Sequence, residues 1–489
     1  MRIVSFRGAH APSRAADGAL AVGRCRRRSD RKRLFGRGRP NQHARARALP
    51  RFCIRAFVLV VTALGLPSND AITLDAALSR TLEKNPDIVQ ARLALEQAAG
   101  RRLVFRSIGF PEVRVQAPLG VQGGKRADDP PVEPFVFARG LFTQPLIDTA
   151  IPASRRRGDI EVLIAQQRLN VAITEHLHTT RIAFYTALYN DSLRVLGEAQ
   201  RERLALNVTT QSDRYGAGQS NRAAVVSAQL LERELEPHIQ EVQRGYEGAL
   251  LTLATSMGDD VSKPAAAQRP SGELQFASLN YDLTSETASA LSERADLQLA
   301  RLLVRAASED QRIIAAQYYP RLDAVVSALA IPGTIHSANA GSARTSDNTL
   351  SSEIAGGVAY TWRVLDNGLV GGQVARARAI REMNEISLRQ LETNVALDLK
   401  RIANNFHAIE GRWKALSSAV SSAEQNVSVI ERTLAEGLSS QLEFRTAESS
   451  FLETKSALLS TAYQQNIARA EWDRATGRYF QFSNDRKVH

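Results

Sequence analysis

Asn85-Pro-Asp-Ile-Val-Gln-Ala-Arg-Leu93 returns 209 residues later as Arg294-Ala-Asp-Leu-Gln-Leu-Ala-Arg-Leu302. Phe110-Pro111 and Tyr319-Pro320 keep the same offset, whereas Leu146-Ile-Asp148 and Val364-Leu-Asp366 stand 218 apart. Gly218 and Gly437, like Gly258 and Gly477, stand 219 apart. Most of the gain falls between residues 111–148 and 320–366, so one tandem duplication with one lengthened loop accounts for the series.

Each copy reads as helix, two strands, very long helix, turn, long helix. Thr73 is a plausible cap for the first helix, and Asn85-Pro86 sets a capping residue before a proline that the first helical turn tolerates; Pro111 bars continuation. Residues 149–214 contain one proline, Pro152, near the start, and the stretch from Gly372 to Leu434 contains none. At about 1.5 Å per residue the first of these predicts roughly 100 Å of helix. Helices of that length must pack as a bundle or coiled coil. Val162, Ile173, Phe184, Val195 and Leu206 recur every 11 residues, as do Ile380, Leu391, Ile402 and Trp413, which predicts nearly straight staves with little supercoil.

Four segments alternate as strands, at about 111–122, 134–146, 320–331 and 350–364. In the last, Ile354, Val358, Tyr360 and Trp362 fall on one face and Glu353, Ala355, Gly357, Ala359 and Thr361 on the other. Pro118 requires an edge or a distortion in the first. Such alternation suits a wall with lipid outside and water inside, but four strands cannot close, and an open edge in lipid leaves backbone groups unsatisfied. Closure must come from further copies, eight strands from two chains or twelve from three; the long helices favour the wider assembly. A soluble sheet on a helical bundle is the alternative.

The chain has 489 residues and a formal charge of +12, yet residues 1–55 hold 16 Arg or Lys against two acids, leaving 47 basic and 49 acidic residues beyond. The basic character therefore belongs to a leader, which argues against a nucleic-acid partner. Cys25 and Cys53 also lie there, excluding an internal disulfide or a Cys-based metal site in the remainder. Arg51 to Arg55 followed by the apolar run Ala56 to Leu66 has the order of an export signal and is too short to span a bilayer. The expected organisation is a basic leader and export signal (1–70), a first repeat (71–258, tip about 214–222), a linker (259–283), a second repeat (284–480, tip about 432–443) and a tail (481–489).

Over about 71–480 the chain resembles the TolC family of outer-membrane efflux proteins, or outer-membrane factors. The resemblance rests on the duplication, Asn85-Pro86, Phe110-Pro111 and Tyr319-Pro320 before strands, Leu365-Asp366-Asn367-Gly368, and the turns Arg214-Tyr215-x-x-Gly218 and Leu434-x-x-Gly437. It implies a mixed α/β membrane protein, internally duplicated, with a trimeric 12-strand β-barrel of four strands per chain continued by a long periplasmic α-helical tunnel. The implied function is the outer-membrane channel of a tripartite efflux system, working as a homotrimer with a periplasmic adaptor (membrane fusion) protein, an inner-membrane pump and outer-membrane lipid. The alternatives are the conduit of a type I protein secretion system and a coiled-coil scaffold.

By the same resemblance Gly218, Gln219, Ser220, Gly437, Leu438 and Ser439 form adaptor-contacting tips, and Glu443 and Thr446, six and nine residues past Gly437, line a pore constriction. The first copy has Ala224 at plus six, so only Glu443 keeps the family's acid. Glu448 stands on another face of that helix and is expected to matter less. Ile354, Val358, Tyr360 and Trp362 form the lipid-facing strand. Both tip glycines suit a left-handed turn, and Ser220-Asn221 and Ser439-Ser440 suit caps of the returning helices.

An enzymatic reading finds no support. The eight histidines, including His176, His178, His238, His336 and His407, form no metal-binding spacing and read as polar-face residues; Gly368-Leu-Val-Gly-Gly372 lacks phosphate-loop grammar. No catalytic residue, cofactor or metal is expected.

Overall fold

The computed structural model describes residues 71–123, 132–260, 262, 268–331 and 351–480. The expected leader with its two cysteines, the tail 481–489, His336 and part of the 259–283 linker lie outside the described residues.

The first half holds α1 (Leu74–Lys84), α2 (Pro86–Ser107), β1 (Glu112–Gln116), β2 (Leu119–Gly123), β3 (Val132–Val136), β4 (Ala138–Ile147), α3 (Ala150–Gly216) and α4 (Arg222–Ser256). The second holds α5 (Leu283–Glu293), α6 (Ala295–Ala315), β5 (Arg321–Ile331), β6 (Ser351–Thr361), α7 (Leu369–Glu436) and α8 (Gln441–Thr476). The same order of elements thus occurs twice.

Local chemistry sets the boundaries. Thr73 Oγ1 accepts from Ala76 N, and Asn85 Oδ1 accepts from Asp87 N and Ile88 N with Pro86 at the first helical position. The Asp of each Leu-x-Asp or Leu-Asp step opens a long helix: Asp148 accepts from Ala150 N at 2.7 Å, and Asp366 accepts from Gly368 N and Val370 N at 3.0 and 2.8 Å. The first two expected strands are each broken in two. β1 and β2 part around Ala117-Pro118 and β3 and β4 around Phe137, because Pro118 has no N–H for the ladder. β6 ends at Thr361, so Trp362 lies just beyond the strand to which it was assigned.

β1, β4, β5 and β6 form an antiparallel sheet in that order, with β2 and β3 as a separate pair. The helices follow suit: α2 packs on α3, α3 on α6 and α6 on α7. Gly158 makes the first contact close, since a Cβ there would stand 2.9 Å from Phe105 Cβ. Ile160 and Ile164 meet Leu302 and Ala306 at the second. Further along, α3 pairs with α4 and α7 with α8.

The eleven-residue seam does not trace the buried side. Val195, Leu206 and Ile380 are exposed. In α7 the enclosed positions step by seven, through Leu399, Phe406, Trp413, Val420, Val427 and Leu434, with Trp413 partly covered by Phe276 stacked at 4.5 Å. Pairing with α8 as a two-helix coil imposes that period.

Candidate functional site

Two parts of this fold bear on function, the sheet and the far helical turns. Register divides the sheet into two faces of different character. Val113 and Val115 lie opposite Phe142 and Gly140; Phe142 and Gly140 lie opposite Val326 and Ala328; Val326, Ala328, Ala324 and Leu322 lie opposite Gly356, Ile354, Val358 and Tyr360. That face is largely apolar, with Gln144 opposite Ala324 and Ser352 opposite Ala330 as its polar members. The other carries Glu112, Arg114 and Gln116, then Arg139 and Thr143, then Asp323 and Ser327, then Glu353 and Thr361. Ile354, Val358 and Tyr360 are exposed in the single chain, at 79%, 61% and 62%. Trp362 is exposed as well, and its Nε1 donates to Tyr318 O at 3.1 Å. Edge strands β1 and β6 each have a neighbour on one side only.

The turn after α3 uses Gly218 at φ 71°, with Gln219 N donating to Arg214 O, and Asn221 Oδ1 accepts from Ala224 N to start α4. The turn after α7 uses Gly437 at φ 83°, with Leu438 N donating to Thr433 O. Ser440 then starts α8 with a capping box: its hydroxyl accepts from Glu443 N at 3.2 Å and Glu443 Oε2 accepts from Ser440 N at 2.9 Å. Glu443 therefore has a local structural task, legible as Ser440-x-x-Glu443, besides any other. Glu443, Thr446, Gln219 and Leu438 are exposed, and Ser220 and Ser439 are half-buried.

The structure brings both turns together. Leu204, Leu235, Leu434 and Phe444, one from each of α3, α4, α7 and α8, form a shared core. Around it Arg203 reaches both oxygens of Glu448 at 3.2 and 3.1 Å, Asn207 donates to Gln441, and Arg445 pairs with Glu234 at 3.0 Å. Arg214 Nη1 donates to Leu434 O at 2.5 Å. Glu448 is thus a buried ion-pair partner, not a solvated acid. Burial pushes its carboxyl above the usual range, and Arg203 offsets this only in part. Nothing in the sequence pairs residues 245 positions apart.

Among the histidines, His176 pairs with Asp87 at 3.2 Å, while His178 is buried with its ring edge to Tyr479, correcting its reading as a polar-face residue. Burial holds its imidazole below the usual range. Among the described residues no group of three or more His, Cys, Asp or Glu could hold a metal, and no helix is long and apolar enough to cross a membrane.

Residues 287–478 match the family model described as outer membrane efflux protein. VceC, an outer membrane protein of Vibrio cholerae, superposes with a TM-score of 0.67 at 18% identity, over 83% of this chain and 96% of that one. This chain therefore shares the fold of that outer membrane protein. The CmeC outer membrane channel of Campylobacter jejuni shares this fold at a TM-score of 0.68 and 13% identity, over 83% of this chain and 85% of that one. The pyoverdine export outer membrane protein OpmQ of Pseudomonas aeruginosa is 23% identical over 264 residues, 51% of this chain and 54% of that protein. The match thus spans about half of that relative's length.

Proposed function

We propose that this chain is an outer-membrane channel of a tripartite efflux system, with its sheet in the outer membrane of a Gram-negative bacterium and its helices in the periplasm. The observation that carries the reading is the four-stranded sheet with one largely apolar face and two open edges, continued by helices in the same lateral order. The eleven-residue strands β5 and β6 span about 36 Å, or about 25 Å when tilted near 45°, the height of an outer-membrane apolar band. Open edges in lipid are untenable, so β6 of one copy pairs with β1 of the next, and three copies close twelve strands. The polar face then lines a water-filled lumen, and α2, α3, α6 and α7 continue the wall as a tunnel.

At the tunnel's end Gly218 to Ser220 and Gly437 to Ser439 meet a periplasmic adaptor joined to an inner-membrane pump, and Glu443 and Thr446 border the opening. The relative named for pyoverdine export supports solute efflux over protein secretion for this chain as well. Expression in a Gram-negative host, outer-membrane extraction and planar-bilayer recording test the proposal. A heat-modifiable trimer with discrete conductance is expected; a monomer recovered without detergent and without conductance refutes it.

A further inference from the structure

The helices below the sheet carry arginines in pairs on single carboxylates. Arg102 Nε and Arg106 Nη2 both donate to the same oxygen of Asp159, at 2.6 and 2.9 Å. Arg155, four residues before Asp159 on α3, is exposed and has no ion-pair partner among the described residues. Its Nη2 lies over the turn between α2 and β1, 2.9 Å from where a Cβ on Gly109 would stand, so the missing side chain leaves room for the guanidinium. Phe110, next in that turn, is 58% exposed. Two guanidinium groups thus share one carboxylate, which is itself 48% exposed, and a third, unpaired one stands one helical turn away on the same helix as that carboxylate.

The face on which they stand follows from α3's neighbours. Ser154 and Gly158 turn toward α2, and Ile160 and Ile164 toward α6. At about 100° per residue these two directions are separated by well under 180°, leaving a narrow face with Arg157 and Glu161 and a wide one with Arg155, Asp159 and Leu163. Exposure agrees: the side chains of Arg157 and Glu161 are 15% and 11% exposed, whereas Asp159 is 48% and Leu163 47%. In a wall that curls into a tube, neighbours pinch the inner face, so the wide face looks outward.

Depth fixes what it meets. α3 begins three residues after β4 ends. Arg155 therefore lies about 8 Å below the start of α3 and Asp159 about 14 Å, within reach, for side chains several ångströms long, of a headgroup layer some 5–8 Å thick.

We propose that Arg102, Arg106 and Arg155 form a binding site for the phosphate of an anionic phospholipid in the inner leaflet, with Phe110 against its acyl chains. Arg102 and Arg106 each use one N–H on Asp159 and keep others free, and Arg155 keeps all five. A phosphodiester accepts from such forks, and Asp159 holds the first two pre-oriented. The inference rests on the outer-membrane reading above.

The test is native mass spectrometry of the detergent-purified trimer titrated with phosphatidylglycerol or phosphatidylcholine. Wild type should retain phosphatidylglycerol roughly tenfold more strongly, R102Q/R106Q/R155Q should hold both lipids equally, and R155Q, which breaks no ion pair, should fall between. D159N should retain phosphatidylglycerol at least as well as wild type. Equal retention of the two lipids by wild type, or unchanged preference in the triple variant, overturns the proposal; so does complete displacement of the lipid by inorganic phosphate, which assigns the site to the free anion. Bilayer recording of the same samples separates the two readings. Wild type that conducts without lipid preference removes this inference alone, and wild type that never conducts removes the channel reading.

Discussion

Arg214 occupies the space a side chain on Gly437 would need: its Nη2 is 2.6 Å from the position of that Cβ, while its Nη1 bonds the last turn of α7 at Leu434 O. Gly218, the corresponding residue of the other turn, has nothing within 4 Å of its own Cβ position. Both glycines have positive φ, so alanine at either should cost roughly 1–2 kcal/mol of backbone strain. Gly437→Ala should cost more, because Arg214 must also leave its carbonyl. Thermal unfolding should show Gly437→Ala as the weaker protein, and the R214A/G437A pair should be less destabilised than the sum of the singles. Strict additivity would mean that Arg214 yields freely and that the contact is incidental.

Glu448 makes a second link between the hairpins, and its titration has a definite sign. Its folded-state carboxyl is raised, burial being the largest cause, so the folded protein binds the proton before the unfolded chain does. Stability contributed by this group is therefore gained as pH falls from neutrality through the raised value, and is complete below the ordinary glutamate range. Glu448→Gln should flatten that part of the pH–stability curve. Arg203→Met should instead cost roughly 3–5 kcal/mol at neutral pH, by leaving a buried carboxylate unpaired. Urea unfolding of both variants across pH 4–8 measures this; an unchanged slope in Glu448→Gln assigns the titration to another group.

The elements were legible because the physics that makes them is local. Long stretches without proline, Asn85 before Pro86, and glycines 219 residues apart at helix ends each specify backbone geometry without reference to the rest of the chain. The seam was misread because α3 and α7 change partners along their length. An eleven-residue spacing stays on one geometric face, while the buried face turns as α7 passes from α6 to α8. Arg203 with Glu448, and Arg214 with Leu434, join residues more than two hundred positions apart, and no propensity or period encodes such a pairing. The proposed gate acid lay between these cases: Ser440-x-x-Glu443 announces a cap, but only the folded turn shows both halves of the box made.

That cap shapes the test of the gate. Glu443→Gln keeps a side chain able to accept from Ser440 N, so α8 should start normally and the trimer should assemble. If three copies of Glu443 surround the opening, the variant should lose cation preference and divalent block in single-channel recording. Glu448 cannot serve as the comparison, being buried on Arg203; Glu453, exposed further along α8, can. Equal changes from Glu443→Gln and Glu453→Gln, or none from the first, would leave Glu443 as a helix cap alone.

The sheet offers the sharpest contrast, because in the proposed channel adjacent residues of β6 face opposite solvents. Val358 lies opposite Ala324 on the apolar face, two residues from Gly356 at the middle of the strand. Val358→Arg should put a guanidinium near the bilayer centre at a cost of roughly 2–4 kcal/mol. Ala359 lies opposite Asp323, whose Oδ2 already accepts from Arg321 Nε at 2.7 Å while its Oδ1 has no partner. Ala359→Arg should therefore find a waiting carboxylate oxygen on the polar face, fold and insert with little loss, and lower conductance by narrowing the lumen. Outer-membrane yield of heat-modifiable trimer reads insertion, and bilayer recording reads conductance. Val358→Arg should fail the first assay and Ala359→Arg should pass it while changing the second. Comparable insertion defects from both would mean that neither face meets water, which would return the sheet to the interior of a soluble bundle.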